Sequence, residues 1–218
     1  MFNFFARNKP DIHSITFPDL GWTLEKDEDF VRVWVNPEGS MALSINYFPQ
    51  KPDIPSLKDI DALRSFYRQS LLPINGGLVE VETSEIQGYA AIRTVFKIPQ
   101  EPKGTTYLAS LTLPFRKHSF VIKIQALETG ETGMRDTLVL DRLMETGEVK
   151  FTKAGLQGWE ADPYDKNYKE GSLMNLSEQE QYDTRCRSHP LSMARERMKE
   201  IQSGIQFSDV FGKLDRFS

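Results

Sequence analysis

Apolar and polar residues alternate along the middle of the chain, and this alternation predicts antiparallel strands. Within residues 77–126 the alternating positions fall into four runs: Val79, Val81 and Thr83; Ala90, Ile92, Thr94, Phe96 and Ile98; Tyr107, Ala109, Leu111 and Leu113; Phe120, Ile122, Ile124 and Ala126. A period of two residues places one face of a sheet on a core and the other toward water. The pattern therefore predicts an antiparallel sheet with one buried face.

The flanking sequence adds a hairpin and helices to this sheet. Residues 22–35 and 41–47 continue the strand pattern on either side of a proline- and glycine-containing turn, 36–39. Apolar residues then recur at helical spacing in 57–72 and again in 134–146. Together these elements predict an α+β protein in which an antiparallel β-sheet is packed by two helices.

The composition changes after residue 153, where a polar segment with scattered aromatic residues begins. Ser177 and Glu180 have the spacing of a capping box and predict a short helix over 178–185. A proline at position 190 and an apolar stripe after it predict an amphipathic helix, 190–204. We therefore divide the chain into three parts. These are a flexible N-terminal arm, 1–14, an α+β sheet domain, 15–153, and a C-terminal extension, 154–218, that is mostly helical or irregular.

The order of these elements resembles the PsbP-like fold. The residues that carry the resemblance are Gly21 and Trp22 at the first hairpin, the helix 57–72, the strand connection 85–90, and the strand 120–124 with the helix that follows it. The resemblance covers about residues 15–146. Members of this group are mostly binding proteins, and they include bacterial chaperones of secreted effectors. The resemblance therefore implies a bacterial binding protein, and it provides no catalytic residue.

Composition, charge and the N-terminal sequence indicate which partners and which compartment to expect. The formal net charge of -4 gives no overall attraction to nucleic acid. No stretch reaches the ~20 apolar residues that a membrane span needs. A single cysteine, Cys186, cannot form an internal disulfide. The first ten residues lack the pattern of a secretory signal. We therefore expect a cytoplasmic protein with no nucleic-acid partner and no membrane span.

Few residues offer catalytic chemistry. The histidines lie far apart in sequence, and no metal-binding or nucleotide-binding motif is present, so we expect neither a metal nor a cofactor. Asp183 and His189 provide a candidate acid–base pair, with the carboxylate holding the imidazole tautomer. The local sequence favours a plainer interpretation, in which Asp183 and Ser188 cap helices and His189 lies in the connecting turn.

Aromatic and apolar residues of the extension are the candidate binding residues. Trp159, Tyr164 and Tyr168 alternate with lysines, and they either form a surface for a peptide or pin the extension onto the sheet. Leu191 and Met198 lie on the stripe of the helix 190–204. Such a stripe either packs on its own domain or docks a partner, and a second copy of the chain would make a homodimer.

The leading hypothesis is a non-catalytic protein-binding module of the chaperone or adaptor type. It would capture a peptide or partner surface against an exposed sheet and aromatic residues. One alternative is an immunity-type inhibitor whose acidic balance complements a basic toxin. The other is an enzyme whose site lies between the sheet and the extension, with Asp183 and His189 within hydrogen-bond reach in a pocket.

Overall fold

The computed structural model describes residues 9–217, so most of the predicted arm lies outside the described residues. Its strands and helices in chain order are β1 (Ile15–Thr16), β2 (Thr23–Glu28), β3 (Val31–Val35), β4 (Met41–Phe48), α1 (Ile60–Leu71), β5 (Gly77–Ile86), β6 (Tyr89–Pro99), β7 (Thr105–Pro114), β8 (Ser119–Leu127), α2 (Met134–Glu145), β9 (Lys150–Thr152), β10 (Gly155–Gln157), β11 (Glu160–Ala161), β12 (Met174–Asn175), α3 (Pro190–Gly204) and β13 (Gln206–Phe207). Short 3₁₀ turns occur at Ile12–Ser14, Leu72–Ile74, Leu176–Glu178, Glu180–Tyr182 and Phe211–Lys213.

Seven of these strands form one antiparallel sheet in the order β2, β3, β4, β8, β7, β6, β5. The four runs of alternating residues correspond to β5 to β8, and each of these strands pairs with the next along the chain. The hairpin of β3 and β4 joins this unit through the long pairing of β4 with β8. The α+β class predicted from the sequence is therefore confirmed.

Helix α3 covers one face of the sheet and closes the main core. Its apolar stripe, including Leu191 and Ile201, is buried against alternate residues of β4, β7 and β8. Leu43, Leu111 and Ile122 are fully buried there. The period-two positions of β7 and β8 thus lie on the face that α3 covers. Val81, Ile92 and Phe96 lie on the opposite face, so apolar residues are buried on both faces of the sheet rather than on the one that was predicted.

Helix α1 packs on the opposite face, over β5 and β6. Leu63 and Leu71 of the helix meet Leu78, Ile92 and Phe96 of the sheet. Two helices do pack on the sheet, but the second is α3 rather than the helix expected over 134–146. Helix α2 instead forms a separate small cluster with the segment that follows it.

The extension also covers the outer edge of the sheet at β5. Gly77 begins this strand, and a Cβ atom at that position would overlap the carbonyl oxygen of Ser172. The carboxylate of Asp162 accepts two hydrogen bonds from Arg68 of α1, at 2.8 and 2.6 Å. Residues 162–173, which we call the strap, are thereby fixed along β5.

Candidate binding face of the sheet

Within residues 9–217, no helix packs over half of one sheet face. On the side that carries α1, that helix packs over β5 and β6, and the corresponding faces of β3, β4 and β8 lie beyond it. Val31, Val33 and Val35 of β3 point to this side and are half-buried rather than buried. Phe48 at the end of β4 is 38% exposed. Apolar side chains therefore remain in contact with solvent across several adjacent strands.

The strand register arranges these side chains in three rows that cross β3, β4, β8 and β7. The rows consist of Val31, Asn46, Val121 and Thr112; of Val33, Ser44, Lys123 and Ser110; and of Val35, Ala42, Gln125 and Leu108. We call this set the open face. Two of the four residues in the first row and three of the four in the third row are apolar, and the middle row contains one cation between two serines.

A groove of about 330 Å³ lies where the open face meets α1 and the loop that precedes it. Its apolar lining includes Phe48, Tyr67, Leu108 and Val121, and residues 50–54 form one wall. A concave, mostly apolar surface with a few polar groups is typical of a site for a ligand or a peptide side chain.

Lys123 is the only lysine on the open face, and within residues 9–217 it makes no ion pair and no side-chain hydrogen bond. Burial lowers its pKa from the ordinary value, because a cation is less stable when it is partly removed from water. Its cross-strand neighbours are Ser44 and Ser110. The Ser110 hydroxyl is 2.5 Å from that of Thr94, which lies next to it on β6. This row can hold an anionic group.

None of the open-face residues was among the binding residues predicted from the sequence. A signal was present in β3, where Val31, Val33 and Val35 alternate with Trp34, so that both faces of one strand carry large apolar residues. A strand of this kind is expected to be covered on both sides. The sequence does not show that, within residues 9–217, no helix packs on the face of β3 that carries the valines.

The aromatic residues predicted to bind a partner lie on the extension, in three different environments. Trp159 is buried in the cluster formed with α2. Tyr164 packs against the α1 cluster, and its ring lies 3.5 Å from the guanidinium carbon of Arg64. Tyr168 faces Arg68 at 5.0 Å. Trp159 and Tyr164 therefore pin the extension in place, and direct binding of a peptide by these residues stays a prediction.

Leu191 and Met198 are both buried between α3 and the sheet, with exposed fractions of 0% and 6%. The stripe on which they lie packs on its own domain, which is one of the two interpretations that the sequence left open. Binding of a second copy through this stripe would require α3 to leave the sheet.

The candidate acid–base pair is not joined by a hydrogen bond within the described part of the chain. Asp183 accepts hydrogen bonds from Arg135 at 2.9 Å, Ser192 at 3.0 Å and Arg195 at 3.2 Å. His189 is the N-cap of α3, where its Nδ1 accepts from the amide of Leu191 at 3.2 Å. Burial lowers the pKa of His189 to about 4, and the nearby guanidinium of Arg135 acts in the same direction. The imidazole is therefore neutral near pH 7, and Nδ1 is already used as an acceptor.

The described residues contain no cluster of three or more histidine, cysteine, aspartate or glutamate side chains arranged to hold a metal ion. Among the helices in residues 9–217, none has the length and apolar character needed to cross a membrane.

Comparisons with known proteins give structural matches only. No protein-family model matches the chain, and a search of curated proteins finds no significant match. The matched structures include a point mutant of the protein Mog1, with 13% identity, a TM-score of 0.45, and coverage of 90% of this chain and 92% of that chain. The Ran-binding protein Mog1p of Saccharomyces cerevisiae matches with 13% identity, a TM-score of 0.37, and coverage of 59% and 74%.

PsbP of the cyanobacterium Synechocystis sp. PCC 6803 also matches, with 12% identity, a TM-score of 0.38, and coverage of 61% and 84%. At these values the similarity carries no argument about activity or partners. The chain is thus an α+β protein with a weak likeness to the PsbP-like group that its sequence resembles.

Proposed function

We propose that the protein binds a segment of another protein on the open face, with no catalytic step, as a chaperone or adaptor does. The observation that carries this proposal is the groove of about 330 Å³ beside a sheet face that bears valines and that no helix of the described part of the chain covers. Solvated faces of antiparallel sheets are ordinarily polar. Clustered apolar residues on such a face are typical of an interaction site.

The edges of the sheet are poor sites for adding a strand from a partner. At β5 the strap occupies the edge, and the hydroxyl of Tyr164 bonds to the amide of Val81. At the opposite edge, β2 is exposed along its whole length, carries four consecutive charged residues, 25–28, and contains a register shift. Charges and bulges oppose strand addition. The open face is therefore the surface that supports capture of an apolar segment, lying across the strands as a helix or extended chain.

Binding to a displayed library of random 12-residue peptides tests this proposal on the full chain. Val121→Arg places a charge in the groove lining, and Leu138→Arg makes the same change on α2, where Leu138 is 56% exposed. We expect Val121→Arg to weaken selected peptides at least about tenfold, because the peptide's apolar side chains would meet a charge. Leu138→Arg should leave their affinity unchanged.

Equal affinities for wild type and Val121→Arg would overturn the proposal, provided that both proteins unfold at similar temperatures. A second copy of the chain is a competing occupant of the open face. Sedimentation of the wild type at rising concentration measures this directly, and a dimer that Val121→Arg dissociates would show that the face serves self-association instead.

A further inference from the structure

We propose that Lys123 makes the groove selective for a segment that carries a carboxylate side chain flanked by apolar residues. This inference rests on the proposed function, since it names the chemistry of the segment that the open face would bind.

Lys123 lies among apolar side chains in the groove. It lies in the middle row of the open face and lines the groove, between Val121 and Gln125 on its own strand. The same groove is lined by the apolar side chains of Phe48, Tyr67, Leu108 and Val121, so a segment bound in it would meet apolar groups as well as this cation. A carboxylate with apolar neighbours matches that set of groups.

A second lysine of the sheet, Lys97, has a counterion, whereas Lys123 has none among the described residues. Lys97, on the opposite face of the sheet, is also largely buried, and its Nζ donates to the carboxylate of Glu178 at 2.8 Å. Lys123 has no equivalent partner within residues 9–217, although it too is partly withdrawn from water. A cation in such a place is stabilised by a paired anion. A carboxylate from a bound segment would form an ion pair with Lys123, as Glu178 does with Lys97.

The remaining groups of the groove agree with an anionic ligand. The wall formed by residues 50–54 contributes one cation, Lys51, and one anion, Asp53, so the lining carries a net charge of one positive unit with Lys123. Thr112 and Ser119 also line the groove, and their hydroxyls make no hydrogen bond within the described residues. A carboxylate has two oxygens, so a hydroxyl can donate a hydrogen bond to one of them while Lys123 donates to the other.

The same display selection tests this inference. With wild-type protein we expect enrichment of peptides in which aspartate or glutamate has apolar neighbours. Lys123→Met keeps a long apolar stem and removes the charge. It should abolish that preference and weaken a selected acidic peptide about 10- to 100-fold, as expected for loss of a charged hydrogen bond. Lys117→Met, in the exposed turn before β8, is the matched control and should retain both the preference and the affinity.

The outcomes separate the two proposals. Peptides that Val121→Arg rejects, but that show no carboxylate preference and bind Lys123→Met as tightly as wild type, would overturn the role of Lys123 and leave the binding face standing. Peptides that bind regardless of Val121→Arg would overturn the binding face itself. Lys123→Gln provides a second neutral variant, so that poor folding of Lys123→Met cannot decide the result.

Discussion

The hydroxyl oxygen of Tyr164 accepts a hydrogen bond from the backbone amide of Val81 at 2.8 Å. The same hydroxyl donates to Oε1 of Glu82 at 3.0 Å. Burial raises the pKa of Tyr164 to about 12, so the group keeps its proton in ordinary buffers. An unpaired amide on an edge strand is a site where another chain can pair. Tyr164 therefore closes the edge at β5 with one side chain from the strap.

Replacing Tyr164 with phenylalanine removes both hydrogen bonds and leaves the Val81 amide without its partner. We expect a loss of about 1–3 kcal/mol in the free energy of unfolding, which is the usual cost of an unsatisfied buried donor. The amide of Val81 should also exchange faster with solvent deuterium than in the wild type. Urea denaturation and hydrogen exchange measure the two effects.

Tyr168→Phe is a matched control on the same strap. The hydroxyl of Tyr168 is buried and has no hydrogen-bond partner within residues 9–217. Removing it should therefore leave stability unchanged or raise it by up to about 1 kcal/mol, because a buried polar group without a partner is unfavourable. Equal losses for the two phenylalanine variants would contradict the role assigned to the Tyr164 hydroxyl.

Gly77→Ala should displace the strap from the edge. The added Cβ would overlap the carbonyl oxygen of Ser172, and it would also lie 2.9 Å from side-chain carbons of Lys97. We expect destabilisation of about 1–3 kcal/mol from this overpacking. Limited proteolysis should cut the strap sooner than in the wild type. At Gly212 a Cβ would meet only the Tyr89 hydroxyl, at 3.9 Å, so Gly212→Ala should show neither change.

The sheet could be predicted from the sequence because its signal is local. Each strand from β5 to β8 carries its own alternation, and short connections leave antiparallel neighbours as the simplest arrangement. The helix α3 was predicted with its bounds for the same reason, since Pro190 and the apolar stripe both lie within it. The face on which each helix packs depends on contacts between residues far apart in sequence, and the placement of α2 was missed.

The capping box of the extension shows how a local signal can mislead. Ser177 and Glu180 have the right spacing, but the structure forms the box between Asn175 and Glu178, two residues earlier. Two 3₁₀ turns occupy the region of the predicted helix. The carboxylate of Glu178 also reaches the sheet, where it meets Lys97. The ion pair between Glu178 and Lys97 joins residues far apart in sequence, and it favours Glu178 over Glu180 as the acidic residue of the box. A local sequence pattern does not contain such a contact.

Lys123 was missed for a related reason. A lysine in an alternating strand is expected to face water, and nothing local distinguishes an ordinary surface lysine from one on a half-covered face. The distinction depends on α3 packing on one face of the sheet and on α1 covering only part of the other face. The candidate site could therefore be found only after the register of β4, β8 and β7 was known.

Glu178→Ala should be among the most destabilising single changes in the described part of the chain. The Glu178 carboxylate is 1% exposed, and it accepts hydrogen bonds from Lys97 at 2.8 Å, Tyr107 at 3.0 Å and the amide of Asn175 at 2.8 Å. Burial and the charge of Glu178 raise the pKa of Tyr107, so its hydroxyl stays a donor. Loss of the carboxylate leaves Lys97 charged and unpaired, at a cost of about 3–5 kcal/mol in urea denaturation.

An exposed ion pair provides the control for Glu178. Glu180 and Lys199 are 2.5 Å apart, but their side chains are 55% and 62% exposed. Water screens such a pair, so Glu180→Ala should cost only about 0–1 kcal/mol. A loss of that size for Glu178→Ala as well would show that the buried pair does not hold the extension on the sheet.

His189→Asn should make the stability of the protein less sensitive to pH. In the folded protein burial lowers the pKa of His189 to about 4, whereas an unfolded chain binds the proton at about pH 6.5. The unfolded state therefore binds more protons between these two values, and the stability of the wild type falls as the pH is lowered through this window. The effect of this one side chain is at most about 3 kcal/mol.

Asparagine suits the test because it is a good N-cap, and its side-chain oxygen can accept from the amide of Leu191 as Nδ1 of His189 does. The charged groups around the imidazole, Glu128, Arg135 and Asp183 among them, remain in the variant. Urea denaturation at pH 7 and pH 5 should show a smaller difference for His189→Asn than for the wild type. Parallel losses in the two proteins would mean that the folded state already binds the proton, and that His189 is not held neutral at the start of α3.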